Sequence, residues 1–456
     1  MRNITQQDKI QVKKNLIKNS IPTIIIYLLT DLFAIIDTML IGNIKDETTY
    51  VASLSAINIS ARVLLFISAL SRGMNVSSST IFSRYLAKND KEKMQSLLIH
   101  TIILNVFMIS LPLVILCLIF TKPIMLFIGN DLTVYNIGNG YFIAIIIGFA
   151  FNSFNNVMSF LLRAVSESKR SLYFEIVANI FNIVGDILLI NGLWIFPKLG
   201  VTGAGIATLM YNFILFLLYS CMLFKSDSKL KIDFKYKFKF DIKIIKNILN
   251  IGVPASTELV SIRGANILFT KIIAVMGTTI LAAQQICMTI FDLIIEVGNA
   301  LSVSIAPLVS KSIGEKKNNV AKLYITVSKK ISLILSTIIG LIIILFSNFI
   351  LNLYTDSENV KIIVKTVLII IVITQYAQNI KEIYAGGLRG IGDTKSIAKY
   401  TILTDAVLKI ILAYIFVNIL NFSLVSIWIV ILFNEIFKGI VFYKKINLEK
   451  WKELKI

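Results

Sequence analysis

The sequence predicts an all-α integral membrane protein with about twelve transmembrane helices in two six-helix lobes, related by a pseudo-two-fold axis along the membrane normal. Three observations predict it. Of 456 residues, 56% are hydrophobic and only 16% are charged, against about 45–50% and about 25% in a soluble domain. Apolar segments of spanning length recur along the whole chain. Polar motifs in the first half return in the second at an offset of about 227 residues. The 29 Phe and 16 Tyr exclude a disordered chain, which carries far less apolar surface.

A spanning helix needs about 20 mostly apolar residues. Taken in order, the expected spans are 16–42, 51–85, 97–120, 134–162, 171–193 and 201–224, then 251–276, 280–313, 323–346, 361–388, 398–420 and 424–443. This divides the chain into a first lobe at 1–224, a basic linker at 225–246 and a second lobe at 247–456. The first span follows a polar, basic segment and no small-residue cleavage motif comes after it, so it is expected to stay in place as a helix.

Loop charges test the order of the spans. Arg2, Lys9, Lys13, Lys14 and Lys18 precede the first span; Arg84, Lys88, Lys91 and Lys93 follow the second; Arg163, Lys169 and Arg170 follow the fourth. The linker is the most basic segment. Lys311, Lys316 and Lys317, then Arg389, Lys395 and Lys399, then the lysines of 444–455 continue the alternation. The intervening loops offer little beyond Lys45, Lys122, Lys198 and Lys361. Cytoplasmic loops collect Lys and Arg, so both termini are expected in the cytoplasm and the protein in the cell membrane. The same rule accounts for the net charge of +20, which in a soluble chain would suggest nucleic acid; no nucleic-acid partner is expected. The 229–243 stretch alternates Lys with Ile, Phe and Tyr and reads as a linker with an amphipathic segment on the anionic inner leaflet.

The repeat is carried by loops as well as helices. Gly73-Met-Asn-Val-Ser-Ser-Ser-Thr-Ile-Phe-Ser-Arg84 lies over Ala300-Leu-Ser-Val-Ser-Ile-Ala-Pro-Leu-Val-Ser-Lys311, and Leu162-Arg-Ala-Val-Ser-Glu-Ser-Lys169 over Leu388-Arg-Gly-Ile-Gly-Asp-Thr-Lys395. Two parallel six-helix lobes are an architecture of secondary transporters.

Several features exclude other chemistry. Cys117, Cys221 and Cys287 have no CxxC spacing and read as small buried hydrophobes. His100 is the single histidine, so no histidine metal site is expected. Gly386 to Lys395 fails the GxxxxGK[ST] order, because Asp393 follows Gly392. No ATPase is expected, and its glycines read as a turn. A prenyl transferase would need clustered aspartates for Mg²⁺-diphosphate. Without them no enzymatic activity is expected. Pro22 and Pro254 are placed at the first helical turn of each lobe, and Pro112 and Pro307 within spans.

The runs Gly277-Thr-Thr-Ile-Leu-Ala-Ala-Gln-Gln-Ile286, Ala306-Pro-Leu-Val-Ser-Lys-Ser-Ile-Gly-Glu-Lys-Lys317 and Leu388 to Lys395 resemble the multidrug and toxic compound extrusion (MATE) family, of the multidrug/lipid-flippase superfamily. In the first half Ile36-Asp-Thr-Met-Leu-Ile-Gly42, Asn179-Ile-Phe-Asn-Ile-Val-Gly-Asp186 and Gly200-Val-Thr-Gly-Ala-Gly-Ile-Ala-Thr208 appear in the family's order. The resemblance implies a V-shaped fold and a monomeric antiporter. Such a protein exports organic cations, drugs and other amphipathic compounds against H⁺ or Na⁺ by alternating access, with no other cofactor.

Ionisable residues inside spans are expensive and are functional candidates by default. Asp31 and Asp37 are six residues apart, 240° around the helix, and cannot share a face. Asn182 and Asp186 are four apart and stack on one face, a carboxylate and an amide oxygen able to hold a small hard cation. Under the repeat, Asp186 maps near Leu412 and Asp37 into 269–273, where no acid stands, so both acids are confined to the first lobe. The resemblance implies that Asp37, Asn182, Asp186 and Thr208 form a proton- or sodium-binding cluster. No metal other than Na⁺ at that cluster is expected.

In the second lobe the candidates are Glu258, Asp292 and Gln378, with Glu296 on the face of Asp292. Arg263 and Lys271 are the expected neutralising partners, and Asp405 with Lys409, also four apart, reads as an internal ion pair. A sodium-coupled branch of the family places a carboxylate where Gln378 stands, which argues for coupling in the first lobe. The alternative function is a flippase for a lipid-linked precursor, for which the in-span Arg62, Arg72 and Arg263 speak.

Overall fold

The computed structural model describes residues 5–41, 46–225, 227–233, 235–420 and 422–448, without the side chains of 34, 35, 37, 38, 41, 47 and 225. Among the described residues every regular element is helical. The first half holds α1 (Gln6–Ile41), α2 (Glu47–Ala87), α3 (Lys91–Ile119), α4 (Thr121–Gly129), α5 (Leu132–Ala164), α6 (Ser168–Asn191) and α7 (Val201–Lys225). The second holds α8 (Ile242–Ala274), α9 (Thr278–Gly314), α10 (Asn318–Leu345), α11 (Ser347–Tyr354), α12 (Glu358–Ile391), α13 (Thr394–Ile419) and α14 (Leu424–Asn447).

The repeat is visible in this order. Helices α3, α5 and α6 start at 91, 132 and 168, and α10, α12 and α13 at 318, 358 and 394. The short α4 and α11 occupy the same place in the two halves. Sequence reading passed over both, because nine and eight residues are too few to cross a bilayer.

Eleven helices among the described residues are long and apolar enough to span a membrane. The expected span at 251–276 lies in α8, which has 33 residues but is diluted by Glu258, Arg263 and Lys271. Aspartates in the loops set where helices begin. Asp46, Asp90, Asp131 and Asp393 accept backbone N–H groups at the starts of α2, α3, α5 and α13 at 2.7–3.1 Å, satisfying donors a helix start leaves open. Gly192 and Gly392 close α6 and α12 in the left-handed conformation, at φ 70° and 94°.

By internal contacts the chain forms two compact units. The first comprises residues 28–252, with a core that includes Phe82, Leu97, Leu161, Tyr219 and Ile248. The second comprises 1–27 and 253–456, with one core around Phe291, Val367 and Trp428 and another in which Leu16 of α1 packs among Leu301, Leu388 and Phe442. Asn15 Nδ2 donates to the Tyr324 hydroxyl at 3.1 Å in the same region. The basic linker is fastened to the first unit. Gln95 Nε2 donates to the Lys231 carbonyl at 2.7 Å, and Ser228 Oγ to Glu167 Oε2 at 2.8 Å.

Several local expectations are corrected. Gly386 and Gly390 are not in a turn but inside α12, where Gly386 leaves room for the Ser302 backbone of α9 and a Cβ would meet the Ser302 carbonyl at 2.5 Å. A small-xxx-small pair of this kind lets two helix backbones approach closely. Only Gly392 serves the turn. Pro22 and Pro254 lie inside α1 and α8 rather than in their first turns, since the helices begin upstream of the apolar runs. Pro112 follows a π-helical stretch, Ile103–Ser110, within α3. Cys117 and Cys287 are buried, whereas Cys221 is exposed on its helix.

Candidate ion-coupling site

In the first unit, Asn182 and Asp186 lie on one face of α6 at 5% and 0% exposure. The 3.6-residue period stacks them one turn apart. That turn of α6 is pressed onto α7, where a Cβ at Gly185 would sit 3.0 Å from the Cβ of Ala207. Thr208 follows Ala207 directly and donates its hydroxyl to the Ala204 carbonyl at 3.1 Å, which leaves the oxygen lone pairs to accept. Asn182 Nδ2 is buried without a hydrogen-bond partner among the described residues. Leaving such a donor unpaired costs about 1–3 kcal/mol, a local penalty of the kind functional sites carry. Asp37 lies on α1, with its side chain outside the described residues.

A cluster of amides joins α5 to α7 next to Thr208. Asn152 Nδ2 of α5 donates to Asn212 Oδ1 of α7 at 3.1 Å, Asn155 Nδ2 donates to the Asn212 carbonyl at 2.9 Å, and Asn212 Nδ2 donates to the Thr208 carbonyl at 2.9 Å. One turn further along α7, the Tyr211 hydroxyl donates to Glu175 Oε2 of α6 at 2.5 Å.

The second unit is organised differently. Glu258 of α8 is buried and bonds Arg389 of α12 at 2.8 Å. The ion pair of Glu258 is thus with Arg389, where Arg263 or Lys271 is expected from the sequence, and Lys271 is exposed. From Arg389 the pairs continue without a break: Glu382 at 3.2 Å, then Lys381 on Glu382 at 2.7 Å and on Glu435 of α14 at 3.3 Å. Lys438 bonds Glu435 at 2.7 Å and Asp405 of α13 at 2.9 Å, and Lys409 ends the series 3.8 Å from Asp405. The expected Asp405–Lys409 pair is present as the last link of this longer series. Asn434 also donates to Asp405. Asp292 is exposed on α9, Glu296 accepts from Asn299 at 3.2 Å, and Gln378 is half-buried on α12.

A family model described as MatE matches residues 22–188 and again 254–415, once in each half. The chain belongs to the MatE family. It is a multi-pass membrane protein. This MatE chain is similar to an uncharacterized transporter, YisQ, of Bacillus subtilis, at 24% identity over 91% of this chain and 90% of that one. It is also similar to a probable multidrug resistance protein NorM of Photorhabdus laumondii, at 25% identity over 84% and 83%. An outward-facing multidrug resistance MATE transporter of the MOP superfamily shares its fold with a TM-score of 0.88 at 23% identity, over 98% of this chain and 100% of that one. A MOP superfamily transporter from Pyrococcus furiosus, described as having a binding pocket of reverse polarity, also matches at 0.88 and 22% identity, over 98% of each chain.

For this MatE protein, sequence reading brought out Asn182, Asp186 and Thr208 but passed over the amides of α5 and the Glu175–Tyr211 pair. A signal for both was present. Asn152, Asn155 and Asn156 crowd one stretch of an apolar span, and Glu175 is an acid within another. In the first unit Asp186, Asn182 and Thr208 supply oxygen donors only, a set suited to a proton or a small hard cation. In the second unit Glu258, Glu382, Glu435 and Asp405 each face a lysine or arginine, which leaves these four carboxylates committed to the protein's own cations.

Proposed function

We propose that this protein is a secondary active exporter of organic cations and amphipathic drugs, driven by inward movement of H⁺ or Na⁺. It acts by alternating access as a monomer in the cell membrane, with both termini in the cytoplasm. The observation that carries this reading is the Asn182–Asp186 pair: a carboxylate and an amide on one buried face of a spanning helix, beside Thr208. A carboxylate in a span is costly to keep and is retained for ion or substrate handling. The multidrug resistance names of the relatives support the same reading.

The ion and the drug compete for the first unit. A proton or Na⁺ arriving from outside occupies Asp186, with Asp37 as the second acid of the cluster and Asn182 and Thr208 as oxygen ligands. The organic cation then leaves, and the neutralised site permits return to the inward-open state. Ethidium efflux, measured with the proton and sodium gradients collapsed separately, tests this. Loss of export on collapse of one gradient names the coupling ion. Export by Asp186→Asn at the unmodified rate would remove Asp186 from the mechanism. If neither gradient matters, the flippase reading replaces this one and lipid-linked substrates become the test.

A further inference from the structure

Glu175, Asn179, Asn182 and Asp186 follow one another on α6 at spacings of four, three and four residues. Eleven residues turn 1,100°, within 20° of three full turns, so the four side chains form one stripe about 16 Å long. Asn179, Asn182 and Asp186 are all buried. Asp186 sits near the end of α6 at Asn191 and Glu175 near its start at Ser168. The two acids thus lie in opposite halves of the span. Asn179 Nδ2 donates to the Glu175 carbonyl at 2.8 Å, so the amide between them sits against the backbone of the lower acid.

The surroundings of Glu175 are unlike those of an acid that only ties two helices together. From α7 the Tyr211 hydroxyl donates to its Oε2 at 2.5 Å, and the Tyr219 phenol lies within electrostatic reach. The Arg163 guanidinium of α5 lies within electrostatic reach of it. Arg163 Nη2 donates to Ser159 Oγ at 2.9 Å, the Ser159 and Ser171 hydroxyls bond each other at 2.9 Å, and Ser171 bonds the Tyr219 hydroxyl at 2.9 Å. Polar groups therefore continue from Glu175 to the first turn of α6, the end that the charge pattern of the loops assigns to the cytoplasm.

The geometry points to Glu175 as a second proton-binding carboxylate of the first unit, which receives the coupling proton after Asp186 and releases it at the start of α6. This rests on the antiport reading above and fixes the coupling ion as H⁺. One proton leaves the Asp186 carboxyl, which returns to carboxylate, and one binds the Glu175 carboxylate before passing to the cytoplasm; no electrons move. The amides of Asn179 and Asn182 line the stretch between the two acids. Tyr211 is a positioning residue: its hydroxyl holds the carboxylate in line.

The test is proton-coupled ethidium transport by the full chain in proteoliposomes, with internal pH read by pyranine. Glu175→Gln retains an oxygen to accept from Tyr211, so α6 stays fastened to α7, but it cannot titrate. Gradient-driven export by this variant is expected to fall at least about tenfold while ethidium affinity stays within about twofold, a loss in the transport step and not in binding. Export and proton flux equal to the unmodified protein, with the same pH profile, would reduce Glu175 to a helix fastener and overturn the assignment. If Glu175→Gln does not accumulate, Tyr211→Phe keeps the carboxylate and carries the test: a displaced pH profile supports the assignment and an unmoved one overturns it. Export that follows Na⁺ and ignores the proton gradient overturns the assignment while the exporter reading stands. Absence of any ethidium export overturns the exporter reading, and this inference with it.

Discussion

The backbone N–H of Asp241 donates to Nε2 of His100 at 2.8 Å, joining the end of the linker to the middle of α3. The other ring nitrogen, Nδ1, lies 2.7 Å from the Ser96 carbonyl and donates to it, so the ring is neutral, with its proton on Nδ1. Phe238 and Phe240 lie against the ring at centroid distances of 5.0 and 5.5 Å. The single histidine of the chain is thus a buried acceptor that anchors the segment entering α8.

His100→Phe retains an aromatic ring for Phe238 and Phe240 and removes the acceptor. The Asp241 N–H is then left without its partner, at a cost of about 1–3 kcal/mol. Faster hydrogen exchange at 238–245, with little change in α5 or α6, is the expected result. Exchange at the unmodified rate would mean that the aromatic contacts alone hold the segment.

Asn182→Leu separates stability from transport. It removes an amide N–H that is buried and unpartnered among the described residues, so the melting temperature in detergent should hold or rise. Export should fall at least about tenfold, because the amide oxygen beside Asp186 is gone, a stability gain set against activity. A variant that is both stable and fully active would remove Asn182 from the ion site.

In the second unit, Lys438→Met leaves Asp405 and Glu435 short of one cation inside the span. Breaking one partner of a buried pair costs about 3–5 kcal/mol, and the expected outcome is a large fall in melting temperature. Adding Asp405→Asn to it should recover part of the loss, because the double variant is again balanced. A double variant no more stable than the single one would show that the pairs are energetically independent.

Gly390→Ala tests the close approach of α12 to α9. A Cβ there meets the Ala306 carbonyl and, at 2.8 Å, the Cβ of Val309, and overpacking of this kind costs about 1–3 kcal/mol. Gly264, with nothing within 4 Å of its added Cβ, is the control. Gly264→Ala should leave the melting temperature unchanged or raise it.

Much of the fold was legible because a bilayer imposes strong constraints: spans are long and apolar, and loop charges alternate across the membrane. Asp186 and Asn182 were legible for the same reason, since an acid in a span stands out and an amide one turn away shares its face. Tertiary partners were not. Glu258 and Arg389 are 131 residues apart, and the nearer Arg263 and Lys271 looked the better partners because local spacing is all that a single sequence offers. In sequence a helix-packing glycine and a turn glycine are the same residue, so 386 and 390 read as a turn; only the backbone of α9 against them decides.

Eight charges of the second unit alternate in sign along the series Glu258, Arg389, Glu382, Lys381, Glu435, Lys438, Asp405, Lys409, and these eight sum to zero. A membrane voltage acts on charge, at about 2.3 kcal/mol per elementary charge carried across 100 mV. A neutral set translated as one piece without rotation does no net electrical work, so voltage neither drives nor resists that translation. Under the proposed coupling, the electrical energy of the membrane is felt instead where a carboxylate changes its occupancy, at the acids of α6. A change in transport rate with membrane potential would therefore trace to Asp186 and its stripe, and the ladder of pairs would ride through the cycle electrically silent.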